Sequence, residues 1–232
     1  MGLHDDASKE LKVLANTANV YDQSWSFHEN GTEERVLFGW WVKNAPWALI
    51  TKYCELFSMP APMVSRWLEV SNSADGVGIA VNKSLSSLRL YTHHWRSVNP
   101  LDYASIVYTG FKVMPDGSVR IDEYCHFGDL RDPENLKYAL SNSSKPEWIQ
   151  AVLKVAPDDV PLMFAKISNT GRQSWIATVR HADIDAGKLL SGHVSGQRLL
   201  HIAGGVDAAK GCFDTVYINP GPQGLLNFIK VL

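Results

Sequence analysis

The feature that most constrains this chain is a strict alternation of residue type between Val77 and Phe127. In Leu88-Arg89-Leu90-Tyr91-Thr92-His93 the leucines fall on one face of an extended strand, and Arg89, Tyr91 and His93 fall on the other. The run from Val119 to His126 repeats the rule, with Val119 and Ile121 set against Arg120, Asp122, Tyr124 and His126. Between them, Val107, Phe111 and Val113 oppose Tyr108, Gly110 and Lys112. A sheet surface that only meets water is usually written in Lys, Glu, Thr and Ser. Here the polar face carries Arg, Tyr, His and Lys, which donate hydrogen bonds and bring positive charge. A wall of that kind implies a lined cavity that holds an anion beside aromatic rings.

The same grammar recurs along the chain. Tyr21 to Phe27 and Arg35 to Val42 flank Asn30-Gly31, a strong hairpin turn signal. Val77 to Val81 and Leu88 to Trp95 form a second hairpin. Ser105 to Val113 and Val119 to His126 form a third, turning at Pro115-Asp116-Gly117. Leu162 to Ser168 and Trp175 to His181 surround Asn169-Thr170-Gly171, and Leu199 to Ala203 with Phe213 to Ile218 make a fifth. Between the hairpins, Pro46 to Phe57 reads as an amphipathic helix ended by Met59-Pro60-Ala61-Pro62. Pro133 to Val155 is helical with a break at Ser143 to Pro146. Ile184 to Leu190 reads as a short helix, and Lys9 to Ala18 as a weak helix on the surface.

Hairpin followed by helix is not the βαβ signature of a parallel sheet. Its economical solution is an α+β fold: ten antiparallel strands closed into one barrel with the helices outside, spanning 1–232 as a single domain. Each strand's apolar face then meets a helix and its polar face meets the lumen, and closure removes exposed sheet edges. The alternative is an open sheet whose polar face meets water.

Composition narrows the function classes. No apolar run approaches the ~18–20 residues needed to span a membrane, and the acidic start Met-Gly-Leu-His-Asp-Asp lacks the apolar stretch of a signal peptide. The net charge of −2 argues against general nucleic-acid or membrane-surface binding. Cys54, Cys125 and Cys212 are far apart and odd in number, so a disulfide framework is not expected and a reducing cytosol is. No P-loop, GxGxxG, nucleophile elbow or His-Glu-x-x-His occurs. Cys125 and His126 are adjacent in a strand and point to opposite faces, which excludes them as a nucleophile–base pair.

Five hairpin-plus-helix units with basic and tyrosine residues turned inward resemble the ABBA prenyltransferases, the PT-barrel enzymes, and most of all the cyanobactin peptide prenyltransferases. Tyr21-Asp22-Gln23-Ser24-Trp25 with Arg35-Val36-Leu37-Phe38 is similar to their first hairpin. Gly78-Ile79-Ala80-Val81 with Ser86-Ser87-Leu88-Arg89-Leu90-Tyr91 is similar to the second, and Gly110-Phe111-Lys112 with Gly117 and Tyr124 to the third. Leu162-Met163-Phe164 with Trp175-Ile176-Ala177 resembles the fourth. The likeness is carried by spacing and face chemistry over most of the chain.

The resemblance implies transfer of an isoprenyl group from dimethylallyl or geranyl diphosphate. The acceptor would be an electron-rich side chain of a cyclic peptide or an amino acid, as in the modification of ribosomally made peptides. Three physical tasks follow. The diphosphate needs fixed cationic donors, for which Arg35, Arg89, Lys112, Lys166 and Arg180 are the candidates, with His93 beside them. The allylic cation needs a dry aromatic sleeve, for which Tyr91, Tyr124 and Tyr217 are the candidates. The acceptor needs a base. Asp22 holds the place of the family's carboxylate, with Glu29 and Glu69 as fallbacks. Neither Asp5-Asp6 nor Asp158-Asp159 builds a DDxxD box, so no protein metal ligand is expected and any Mg2+ would be held by the diphosphate. A non-catalytic barrel that binds an anionic or aromatic small molecule is the alternative.

Overall fold

Alternation translates into a sheet with two unlike faces. The computed structural model describes residues 3–94, 106–113, 117–156, 161–167, 172–179, 184–189, 196–207 and 211–230. Ten strands are present: β1 (Val20–His28), β2 (Gly31–Trp41), β3 (Gly76–Asn82), β4 (Leu88–His93), β5 (Ile106–Val113), β6 (Val119–Asp129), β7 (Pro161–Ile167), β8 (Gln173–Thr178), β9 (Leu199–Asp207) and β10 (Gly211–Ile218). Each pairs antiparallel with the next, and β1 also pairs with β10, so the sheet closes on itself. Six helices complete the fold: α1 (Leu3–Thr17), α2 (Trp47–Leu56), α3 (Ala61–Ser71), α4 (Pro133–Ser141), α5 (Pro146–Val155) and α6 (Gly221–Lys230).

The apolar cores lie between the barrel's outer face and these helices. One gathers Phe38 and Trp40 of β2, Ile79 of β3 and Leu90 of β4 against Leu14 of α1, Ile50 of α2, Trp67 of α3 and Phe228 of α6. The other gathers Trp25, Trp175, Ile202 and Val216 from the opposite side of the barrel against Trp148, Ile149 and Val152 of α5. Trp67 also donates from Nε1 to the Tyr91 carbonyl at 3.1 Å, which ties α3 to β4. No described helix is long and apolar enough to cross a membrane.

Three expectations change. The run Met59-Pro60-Ala61-Pro62 ends α2 but also opens α3, because a proline in the first turn removes only an N–H that would have no helical partner. The first helix is not a surface appendage: Leu11 and Leu14 are fully buried. The expected helix over Ile184 to Leu190 is only a 3-10 turn, Ala186–Lys188, where the Asp185 side chain accepts a hydrogen bond from the Gly187 N–H. The break expected at Ser143 to Pro146 does separate α4 from α5. It is pinned from β10, whose Asp214 carboxylate accepts hydrogen bonds from the Ser144 N–H at 2.8 Å and from both serine hydroxyls.

Candidate active site

Register decides which side chains share the lumen. Arg89, Lys112 and Arg120 stand opposite one another on β4, β5 and β6, and form one basic row. One lumen position along, Tyr91, Gly110 and Asp122 form the next row, followed by His93, Tyr108 and Tyr124. Gly110 has a specific task there. A Cβ at that position would sit 3.1 Å from the Tyr91 ring, so the missing side chain lets the ring lie across β5. Ser24 stands opposite both Arg35 and Tyr217, and Tyr217 stands opposite His201. Asp22, two residues before Ser24 on β1, shares its face.

The basic groups lie towards the end where the hairpins turn. Arg89 and Arg120 are the second residues of β4 and β6, Lys112 is next to last in β5, and Arg172 immediately precedes β8. Asp207 ends β9 at the same rim. Arg120 is only 2% exposed and is held by two carboxylates: its Nε is 3.0 Å from Asp122 Oδ2, and its Nη1 donates to Asp207 Oδ2 at 3.2 Å. Arg172 Nη1 approaches that same Asp207 oxygen at 3.7 Å, and its guanidinium lies 4.4 Å over the Phe213 ring. On the other wall, Arg35 Nη2 donates to Glu33 Oε2 at 3.2 Å.

The electrostatics show how closely these groups converge. Burial alone would lower the Arg89 guanidinium, but Tyr91, Glu33 and Asp122 outweigh it and hold it above its ordinary value. Burial pushes Arg120 down, and the neighbouring Arg172 and Arg89 charges push the same way against Asp122. Burial raises Tyr217; Tyr124 and Tyr91 add to the rise, while Arg35 and Arg89 oppose it. Burial likewise raises Tyr124, with Asp122 and Tyr91 adding and Arg172 opposing. Tyr217 and Tyr124 thus both feel Tyr91, but Arg35 and Arg89 act on Tyr217 whereas Arg172 acts on Tyr124. Among the described residues, the Nε groups of Arg35, Arg89 and Arg172 and Nη2 of Arg120 are buried without a hydrogen bond. Such donors are costly in a folded protein unless something accepts from them.

Of the residues expected from sequence, Asp22, Arg35, Arg89, Tyr91, His93, Lys112, Tyr124 and Tyr217 all occupy lumen positions. Lys166 lies on β7, where its backbone pairs with Glu123 of β6. Arg180 lies outside the described residues. Glu69 is no fallback base, because it sits exposed on α3 and pairs with Arg66 outside the barrel. Glu29 lies exposed between β1 and β2. Arg120 and Arg172 were missed as site residues. Alternation had already marked Arg120 as polar-face, whereas Arg172 precedes its strand and carries no such signal.

No protein-family model matches this sequence, and no curated protein matches it either. Solved structures do. PriB, in a ternary complex with L-tryptophan and dimethylallyl thiolodiphosphate, aligns with a TM-score of 0.58 at 10% identity over 96% of this chain and 97% of its own. The 5-dimethylallyltryptophan synthase of Streptomyces coelicolor aligns with a TM-score of 0.64 at 9% identity, covering 95% and 91%. AnaPT from Neosartorya fischeri gives 0.54 at 11%, covering 86% and 78%. At such identities the likeness is one of fold. The chain shares its antiparallel barrel fold with these structures.

Proposed function

We propose that this protein transfers an isoprenyl group from an allylic diphosphate to an electron-rich aromatic acceptor inside the barrel. One observation carries the reading: Arg35, Arg89 and Arg120 converge with Tyr91, Tyr124 and Tyr217 in one closed lumen, and guanidinium donors there are left without protein acceptors. A diphosphate fits that donor set in charge and in hydrogen-bonding capacity. The fold shared with PriB, whose structure holds L-tryptophan and dimethylallyl thiolodiphosphate, supports the same reading.

The chemistry follows from the arrangement. Arg89, Lys112 and Arg35 neutralise the charge that grows on the leaving diphosphate as the allylic C–O bond breaks. The tyrosine faces beside that row stabilise the cation and limit water. The acceptor's π electrons form the new bond to the allylic carbon, and Asp22 takes the proton that restores aromaticity. His93, edge-on to Tyr108 with ring centroids 4.4 Å apart, borders the acceptor side of the same wall. The acceptor is a tryptophan- or tyrosine-like side chain, free or in a cyclic peptide of the cyanobactin kind, and the donor is dimethylallyl or geranyl diphosphate.

Among the described residues no cluster of three His, Cys, Asp or Glu side chains is placed to bind a metal ion, and Asp122 and Asp207 already face arginines. Any Mg2+ would arrive on the donor's own oxygens.

The test incubates the protein with each donor and with L-tryptophan, L-tyrosine or cyclic peptides containing them, and follows diphosphate release and product mass. Prenylated product supports the proposal. Donor binding without consumption would instead make the barrel a non-catalytic binder.

A further inference from the structure

The ion pairs at the hairpin end do more than line a wall. Arg120 is on β6 and Asp207 on β9, with β7 and β8 between them in the sheet. Neighbouring strands are about 4.8 Å apart, so these strands are separated by roughly 14 Å along the wall. A 3.2 Å contact therefore requires the two side chains to reach across the lumen. Arg172 joins from the start of β8 on the same Asp207 oxygen, and its guanidinium covers Phe213 of β10. Asp122 braces Arg120 from behind. The result is a chord of side chains from β6 to β10, spanning four of the barrel's ten strand-to-strand steps. Four of its members are buried, with Arg120 2% exposed, Phe213 5%, Asp122 6% and Asp207 8%, and Arg172 is partly buried.

We propose that this chord, Asp122–Arg120–Asp207–Arg172–Phe213, is a water seal across the hairpin end of the lumen, with Arg120 shared between the seal and the basic row. The inference rests on the prenyl-transfer reading and adds what protects the intermediate. An allylic cation has two fates once the C–O bond has broken and its electron pair has left with the diphosphate. The acceptor's π pair can form the new bond, with the proton passing to a base. Alternatively a water oxygen attacks the same carbon and loses a proton to solvent, giving the free prenyl alcohol. Excluding water selects between them. Ionic side chains suit this task at a basic rim because they fill the space while adding cationic groups beneath the donor.

The seal is tested by opening it. Asp207→Ala removes the oxygen shared by both arginines, and Asp207→Asn removes the charge while keeping the shape. With dimethylallyl diphosphate and L-tryptophan, the ratio of prenyl alcohol to prenylated product should rise about tenfold or more in Asp207→Ala, and by less in Asp207→Asn. An unchanged ratio in a folded variant that still consumes donor overturns the seal. A second arm does not depend on catalysis. Ser174, 2% exposed on the lumen face of β8 and one lumen position inside Arg172, is replaced by cysteine. Its labelling by N-ethylmaleimide is then followed by peptide mass mapping. Cys at this position should be protected with Asp207 intact and modified faster with Asp207→Asn; equal rates overturn the proposal. If the unmodified protein consumes no allylic diphosphate, the prenyl-transfer reading falls, and the labelling arm alone decides whether this end is sealed.

Discussion

The outer and inner faces of the barrel wall follow opposite rules. Outside, Phe38, Ile79, Leu90 and Trp175 are at most 1% exposed and meet other apolar groups. Each such side chain stabilises the fold by about 1.5–3 kcal/mol through burial. Inside, buried positions carry charge: Arg120 is 2% exposed, Arg35 and Arg89 8%. Their guanidiniums include donors with no protein acceptor, at a cost on the order of 1–3 kcal/mol each. The pairs that do form there are poor evidence of stabilisation, because desolvating two charges offsets much of their attraction. A lumen built only for stability would be filled with aliphatic side chains. The outer face holds the barrel together, and the inner face carries buried cationic donors that the described protein groups do not satisfy.

That contrast can be broken from either side. The largest effect expected is on chemistry. Asp22→Asn should slow product formation by about 10²–10⁴-fold while donor affinity stays near normal, as read by steady-state turnover and calorimetric titration. Full turnover would make Asp22 structural, and lost donor binding would make it an organiser of the site. Next comes the outer face. Trp67→Ala opens a cavity under α3 and frees the Tyr91 carbonyl, which should cost about 3–5 kcal/mol. In a chain of this size that lowers Tm on the order of 10 °C, and a melting curve like that of the unchanged protein would show that the outer shell does not hold the barrel. The smallest effect sharpens the register. Lys166→Ala should leave turnover within about twofold and stability within ~0.5 kcal/mol, because its register partner Glu123 alternates with the lumen residues Asp122 and Tyr124. A large loss of donor affinity would return Lys166 to the lumen.

How much of this was legible in the sequence follows from the physics of each element. The alternation in β4 to β6 is a two-residue period imposed by the pleat, and by itself it assigns Arg89, Tyr91, Lys112 and Tyr124 to one face. Turn chemistry such as Asn30-Gly31 marked the hairpins for the same local reason. Leu162 to Ser168 alternates less cleanly, so the parity of Lys166 is set by its pairing with Glu123 of β6 and not by its own composition. The burial of α1 was hidden because it depends on where α2 and α6 lie, which is long-range information. The Arg120–Asp207–Arg172 chord was hidden for the same reason: its members are 87 residues apart in the case of Arg120 and Asp207, and only closure of the barrel brings them together.

The central claim is that the lumen's unmet cationic donors exist to bind an allylic diphosphate. Calorimetric titration with the donor analogue dimethylallyl thiolodiphosphate, on the unchanged protein and on Arg89→Ala, tests it most directly. The account predicts binding by the unchanged protein. Losing one charge-assisted contact should cost about 2–4 kcal/mol, a weakening of roughly 30- to 1000-fold in Kd, with an unaltered melting curve. No binding by the unchanged protein, or equal binding by a folded Arg89→Ala variant, would contradict it.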